Sequence, residues 1–291
     1  MQSDKKDVLR FCINTFEWGD YIEQVWDVWY SDPNGYLIVA EDNGVIAAVS
    51  HAYLCPNRNS VWLEGIRVNP DFRRRSIGTE LIKKMVQYGK EQGAEEAGAI
   101  VSVNNVASQA MMEKNGFVVT SRWSYSGTSK LYQKSESDQV RTATLKDKEI
   151  IHSYLNQSQI FRAAAENYVD VWRWYHLDLR SGILENLIDN KKVIVMGTDH
   201  SKIDGVMIIN KYNNTFQIGY LDAFDALSLS YLIRSVFNLV YYEETEKAYQ
   251  KLQIFSPQIP FFQSAIGDLG VIEYGQFLLY RMDNQLLNDC Y

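Results

Sequence analysis

The chain has 291 residues, nearly half of them hydrophobic and under a quarter charged, so it is long enough for one large core or two ordinary ones and lacks a disordered composition. Acidic residues outnumber basic ones by 36 to 29, and the formal net charge of -7 argues against a general nucleic-acid binder, whose footprint is a basic face. Cys12, Cys55 and Cys290 show no CxxC spacing, and His51, His152, His176 and His200 lie far apart, a pattern that predicts reduced thiols in a cytoplasmic protein and no metal site. No secretory pattern opens the sequence, and no apolar run is long enough to cross a bilayer, so no membrane partner is expected.

The residues before Asp20 read as an opening strand. From Asp20 to Tyr30, Ile22, Val25, Trp26 and Trp29 fall on one helical face and Glu23 and Asp27 on another, which predicts an amphipathic helix. Asp32-Pro33-Asn34-Gly35 is a turn, Tyr36 to Glu41 a strand, Asp42-Asn43-Gly44 a hairpin turn and Val45 to Tyr53 the returning strand. After a loop from Cys55 to Ser60, the strand Trp62 to Val68 leads into VNPDFRRRSIGTEL, residues 68–81. Simple alternation places Trp62, Glu64, Ile66 and Val68 on one side of that strand.

The 68–81 stretch is a strand, a basic turn and then a helix with an apolar face of Ile77, Leu81, Ile82, Met85 and Val86. The first N–H groups of a helix lack partners and sit at the positive end of its dipole, so such a turn can hold a pyrophosphate, with Arg73, Arg74 and Arg75 adding charge. The residues alone leave a second reading open, a surface helix whose N-terminus is basic. A strand from Ala97 to Val103 follows, then NVASQAMMEKNGF, residues 105–117, in which Gly116 reads as a helix stop and Phe117 as the start of a strand.

With Arg73 and Gly78, the basic turn resembles the signature loop Arg/Gln-x-x-Gly-x-Gly/Ala of the GNAT superfamily of acetyl-CoA-dependent N-acetyltransferases. Asn105, Ser108, Lys114, Gly116 and Phe117 resemble the family's next motif. Ser76 stands in place of the inner glycine, where it fits at φ < 0 and its hydroxyl can donate a hydrogen bond. The resemblance implies an α/β fold with a mixed, mostly antiparallel sheet and helices on both faces.

The resemblance also implies acetyl-CoA as acyl donor. Pyrophosphate would lie at Arg73, Arg74, Arg75, Ser76, Ile77, Gly78 and Thr79. Backbone groups of Ile66 and Val68 would pair with pantetheine, the Val68 N–H facing the thioester carbonyl, and Asn105 and Ser108 would form the opposite wall. Glu64 is the expected general base, because a protonated amine cannot attack until it loses a proton; the alternative is that Glu64 pairs with a cation or faces solvent. Met112 stands where many family members carry a tyrosine acid, and Tyr125 and Tyr132 are either substitutes or sheet aromatics.

The acceptor edge is acidic and aromatic, with Glu17, Trp18, Asp20, Tyr21, Glu23, Trp26 and Asp27. Of these, Tyr21, Trp26 and Asp27 are the expected substrate contacts. A small-molecule amine or amino acid is the natural acceptor, with protein N-termini and lysines as alternatives. GDYIEQVWDVWYSDPNG followed by LEGIRV is similar to the corresponding region of histidine N-acetyltransferase and its relatives, which adds free histidine. A rival from another class is a non-catalytic acyl-CoA-binding sensor. The expected assembly is a monomer or homodimer.

Around residues 132–147 the composition turns polar, which divides the chain into a catalytic domain, residues 1–135, and a second domain, residues 140–291. The second half repeats the element order: strand 142–145, helix 146–157, an aromatic helical region 170–190, strands 192–197, 203–212 and 216–223, helix 227–243, strand 252–255, helix 258–268 and strand 277–282. This resembles a degenerate GNAT-like domain. Its counterpart of the basic turn, LDAFDALSLSY from Leu221, holds two aspartates and no arginine, so no cofactor is expected there.

Overall fold

A computed structural model describes residues 2–13, 15, 16, 19–55, 60–129, 139–242, 251–267 and 269–283. The helices are α1 Lys5–Cys12, α2 Ile22–Ser31, α3 Ile77–Glu91, α4 Val106–Lys114, α5 Lys148–Gln157, α6 Gln159–Ala163, α7 Ile183–Asp189, α8 Ala226–Tyr242 and α9 Phe262–Ile266. The strands are β1 Gly35–Asp42, β2 Val45–Cys55, β3 Ser60–Val68, β4 Glu96–Ser102, β5 Val118–Thr128, β6 Val140–Thr142, β7 Asn167–Asp170, β8 Arg173–His176, β9 Val193–Met196, β10 Gly205–Tyr212, β11 Thr215–Ala223, β12 Lys251–Pro257 and β13 Ile272–Asp283. Two compact units result, one of Met1–Thr120 with Leu279–Tyr291 and the other of Ser121–Leu278.

These units differ from the division at residues 135–140, because the boundaries fall inside β5 and β13. The first unit's sheet runs β1-β2-β3-β4 and is completed by β13 from Leu279 onward. Arg281 secures that strand by donating from Nη1 to Glu96 Oε1 at 2.7 Å and by lying over the Trp62 ring at 5.6 Å. Gly98 makes room for it, since a Cβ there would come within 2.5 Å of the guanidinium.

Helices cover both faces of this sheet. The face of Val49 and His51 packs on α1 and α2 through Val8, Cys12, Ile22, Trp26 and Trp29, all buried. On the other face, α3 comes so close that a Cβ on Gly89 would meet Val61 Cγ1 at 2.4 Å. The expected opening strand is instead α1, whose Val8 and Cys12, spaced i and i+4, enter the core. At the β1–β2 hairpin, Asn43 and Gly44 have φ of +51° and +80°, the geometry of a two-residue Asn-Gly turn.

The second unit's sheet runs β6-β9-β10-β11-β12-β5, with β5 counted from Ser121 onward. Strands β11 and β12 are parallel, and β12 pairs antiparallel with β5 from Leu252↔Thr128 to Pro257↔Trp123. Residues 170–190 are not one helical region. Val171 and Trp172, at φ +46° and +67°, turn the chain between β7 and β8, so Trp174 and Tyr175 are strand aromatics, and only α7 is helical.

Candidate active site

Strand β3 runs beside β4 in parallel for three pairs, Ser60↔Glu96, Val61↔Ala97 and Trp62↔Gly98, and there the pairing ends. Both strands continue, β3 to Val68 and β4 to Ser102, leaving an opening between them. The Asn69 N–H donates to Ala47 O at 2.9 Å on the β2 side. Donor direction alternates along a strand, so at the neighbouring pair Ala48↔Val68 the Val68 N–H is turned toward the opening.

The register of β3 corrects the simple alternation. Glu64 pairs with His51 and Arg67 with Val49, so Gly65 and Ile66 together oppose Ser50 as a β-bulge, with Gly65 at φ +68°. The extra residue inverts the alternation beyond it. Trp62, Glu64 and Arg67 share the face of α1 and α2, and Ile66 and Val68 lie on the other.

A polar and aromatic cluster surrounds Glu64. Its Oε1 lies 2.9 Å from Nδ1 of the fully buried His51, whose ring stacks on Trp29 at 4.6 Å and 1°. Tyr21 meets Trp29 edge-on at 6.1 Å. Arg67 donates to Asp20 through Nε at 2.7 Å and Nη2 at 3.2 Å, and its guanidinium lies over Phe16 and Tyr21. Burial pushes the Tyr21 hydroxyl up from its ordinary pKa; Arg67 opposes that shift, and the Glu64 and Asp20 carboxylates reinforce it.

Of the expected substrate contacts, only Tyr21 belongs to this cluster. Trp26 is fully buried, its Nε1 donating to Gln2 at 2.8 Å, because its helical spacing serves the core. Asp27 is exposed and paired with Lys5 at 2.8 Å and Gln2 at 2.9 Å, on α2's outer face. Glu17, Trp18 and Tyr132 lie outside the described residues.

At the basic turn, Arg73, Arg74 and Arg75 are exposed. Arg73 Nε donates to Val68 O at 3.4 Å, and Arg75 pairs with Asp42 at 3.1 Å and lies over Phe72. Ser76 is the N-cap of α3 at φ +62°, so the expectation of φ < 0 is overturned; it is in the left-handed region, and its side chain makes no capping bond. Ile77, Gly78 and Thr79 follow as the first helical residues, with N–H groups that the helix cannot pair. Gly78 is buried, and a Cβ there would lie 2.7 Å from Met111 Sδ.

At the next motif, Asn105 caps α4 by accepting from the Ser108 N–H at 3.1 Å, so these two residues define the helix start. Met112 is buried in the core. Tyr125 packs among Phe255, Trp172 and Tyr274 in the second unit, as a sheet aromatic does.

The residues at the opening fit a thioester carrying a pyrophosphate. An uncapped helix N-terminus flanked by arginines suits the phosphates, and a strand N–H without a strand partner suits a carbonyl oxygen. Among the described residues no group of three His, Cys, Asp or Glu side chains could hold a metal ion, and no helix is long and apolar enough to cross a membrane.

Sequence reasoning missed His51, Trp29 and the Asp20–Arg67 pair. Counting back from the Cys55–Ser60 loop pairs His51 with Glu64, so that contact had a signal.

The fold is of the GNAT type, a mixed, mostly antiparallel sheet with helices, with a second GNAT-like region after the first. Residues 7–117 match the family described as Acetyltransferase (GNAT) family. An aminoglycoside N(6')-acetyltransferase type 1 from Salmonella typhimurium is 35% identical over 78 residues, which are 26% of this chain and 54% of that protein. An uncharacterized N-acetyltransferase from Methanocaldococcus jannaschii is 28% identical over 130 residues, 40% of this chain and 57% of that one. The chain thus spans about half the length of the curated relatives it matches.

Among solved structures, a GCN5-related N-acetyltransferase from Sphaerobacter thermophilus has a TM-score of 0.62 at 14% identity, over 98% of this chain and 94% of that one. A tandem GNAT protein from the clavulanic acid biosynthesis pathway has a TM-score of 0.52 at 12% identity, over 97% and 94%. Both likenesses concern the fold.

Proposed function

We propose that the first unit transfers an acetyl group from acetyl-CoA to a primary amine of a small molecule, with Glu64 as general base. The observation that carries this reading is the parting of β3 and β4 after Trp62 and Gly98, with the Val68 N–H turned into the opening. In this reading the N–H groups of Ile77, Gly78 and Thr79, with Arg73, Arg74 and Arg75, hold the pyrophosphate of acetyl-CoA. Backbone groups of Ile66 and Val68 pair with its pantetheine arm, and the Asn105 side chain faces that arm from the other wall.

Glu64 takes the proton from the ammonium form of the acceptor. The freed nitrogen bonds to the thioester carbon, the carbon–sulfur bond breaks with its electron pair staying on the sulfur of coenzyme A, and the surplus proton on the nitrogen passes to that thiolate or to solvent. The Val68 N–H stabilises the charge that grows on the carbonyl oxygen. Met112 has no proton to give, and a thiol with a reference pKa of about 8.5 leaves well enough as thiolate. Free histidine and a 6'-amino aminoglycoside are the acceptors that the sequence likenesses suggest.

The test is thiol release from acetyl-CoA across free amino acids including histidine, aminoglycosides, polyamines and short peptides, against an acceptor-free control. Release with one acceptor class is the expected result. Saturable acetyl-CoA binding with no release above the control for any acceptor would overturn the enzyme reading in favour of a sensor. Glu64→Gln should lower kcat/KM by about 100-fold or more and flatten its rise with pH, with acetyl-CoA affinity unchanged; an unaltered pH profile would remove Glu64 from the chemistry.

A further inference from the structure

We propose that His51 is the positioning residue for Glu64, fixing the carboxylate through its Nδ1–H. The inference rests on Glu64 acting as the base. His51 is fully buried, and the polar contact of its ring is the 2.9 Å bond to Glu64 Oε1. Nε2 is buried and has no hydrogen-bond partner among the described residues. A carboxylate oxygen only accepts, so the proton in this contact sits on Nδ1.

The ring is held in place from several elements. Trp29 of α2 stacks flat on it at 4.6 Å. On β1, a Cβ at Gly35 would lie 2.4 Å from Nε2, so only glycine leaves room for the imidazole. On β3, Gly65 does the same for the stacking partner, since a Cβ there would lie 2.4 Å from Trp29 Cη2. Two glycines on separate strands thus accommodate one stacked pair, and the donor that pair presents is aimed at Glu64.

A glutamate on a strand has three side-chain torsions to fix before it can accept a proton from a defined direction. One buried donor fixes its plane and favours its ionised form. Among the described residues the other ionisable groups on this side are Tyr21, Asp20, Arg67 and Cys12, with Arg67 committed to Asp20, and Asp32 lies beside Gly35.

The test compares His51→Phe, which keeps a ring for Trp29 and removes the donor, with His51→Asn, whose amide restores a donor near the Nδ1 position. Kinetics use thiol release with the acceptor of highest kcat/KM in the panel above. His51→Phe should lower kcat at least tenfold, leave KM for acetyl-CoA within twofold, and move the acid limb of kcat/KM upward by about one pH unit. His51→Asn should restore most of both. An unchanged acid limb in His51→Phe, or a uniform loss that His51→Asn does not rescue, would overturn the proposal.

Two controls keep the result interpretable. Should Glu64→Gln retain the wild-type pH profile, the base reading fails; should Glu64→Gln be flat while His51→Phe matches wild type, the positioning role alone fails. If His51→Phe does not fold, nitrogen-15 NMR of the wild-type imidazole decides. A proton on Nδ1 supports the proposal, and a proton on Nε2 alone contradicts it.

Discussion

Ser76 holds α3's N-cap at φ +62°, and Arg74, two residues earlier, is at φ +63°. A side chain in the left-handed region costs about 1–2 kcal/mol, so this turn stores strain where the N–H groups of α3 are presented. Ser76→Gly should therefore stabilise the protein by up to about 1 kcal/mol in denaturant unfolding and bind acetyl-CoA at least as tightly; destabilisation would mean that the serine side chain holds the loop. The basic turn was legible because Arg73 to Gly78 are consecutive. His51 is 13 residues from Glu64, and its role depends on glycines at 35 and 65 that mark no local motif. Trp26 misled because helical spacing places an aromatic on a face without saying whether that face is core.

The elements differ most where two helices begin. The start of α3 has no side-chain cap, whereas at the start of α8 the Asp225 carboxylate accepts from the Ser228 N–H at 2.8 Å, taking the place an anion would occupy. Strand positions were legible from hydrophobic alternation and turn residues, to within a few residues at most ends. The bulge in β3 was not, since one inserted residue leaves the apolar pattern readable and still inverts the faces beyond it.

Another element-scale device lies in the second unit. Burial alone would raise the Asp147 carboxyl, but Arg141, the Thr144 N–H and His200 hold it well below the usual carboxylate range. A depressed folded pKa contributes stability above the unfolded value of about 3.9 that is lost as pH falls below it. Asp147→Asn should cost about 3 kcal/mol at pH 7 and weaken the acid dependence; equal slopes below pH 4 for wild type and variant would exclude this pair as a source of acid sensitivity.

At the scale of the whole molecule, the first unit's sheet is completed by β13 from Leu279 onward, a strand from outside that unit's main run of sequence. No local pattern announces such a pairing, which is why the polar stretch near residue 135 looked like a clean division. A fragment of residues 1–135 would lack Arg281 and leave the Gly98 edge of β4 without the strand that covers it. It should fail to unfold cooperatively, and a cooperative, acetyl-CoA-binding fragment would show β13 to be dispensable. The most direct test of the cofactor's placement is calorimetric titration of the full chain with acetyl-CoA, alone and with Arg73→Ala and Arg75→Ala combined. One site per chain is expected, weakened at least tenfold in the variant. Two sites, or one site of unchanged affinity in the variant, would contradict the placement of the cofactor in the opening between β3 and β4.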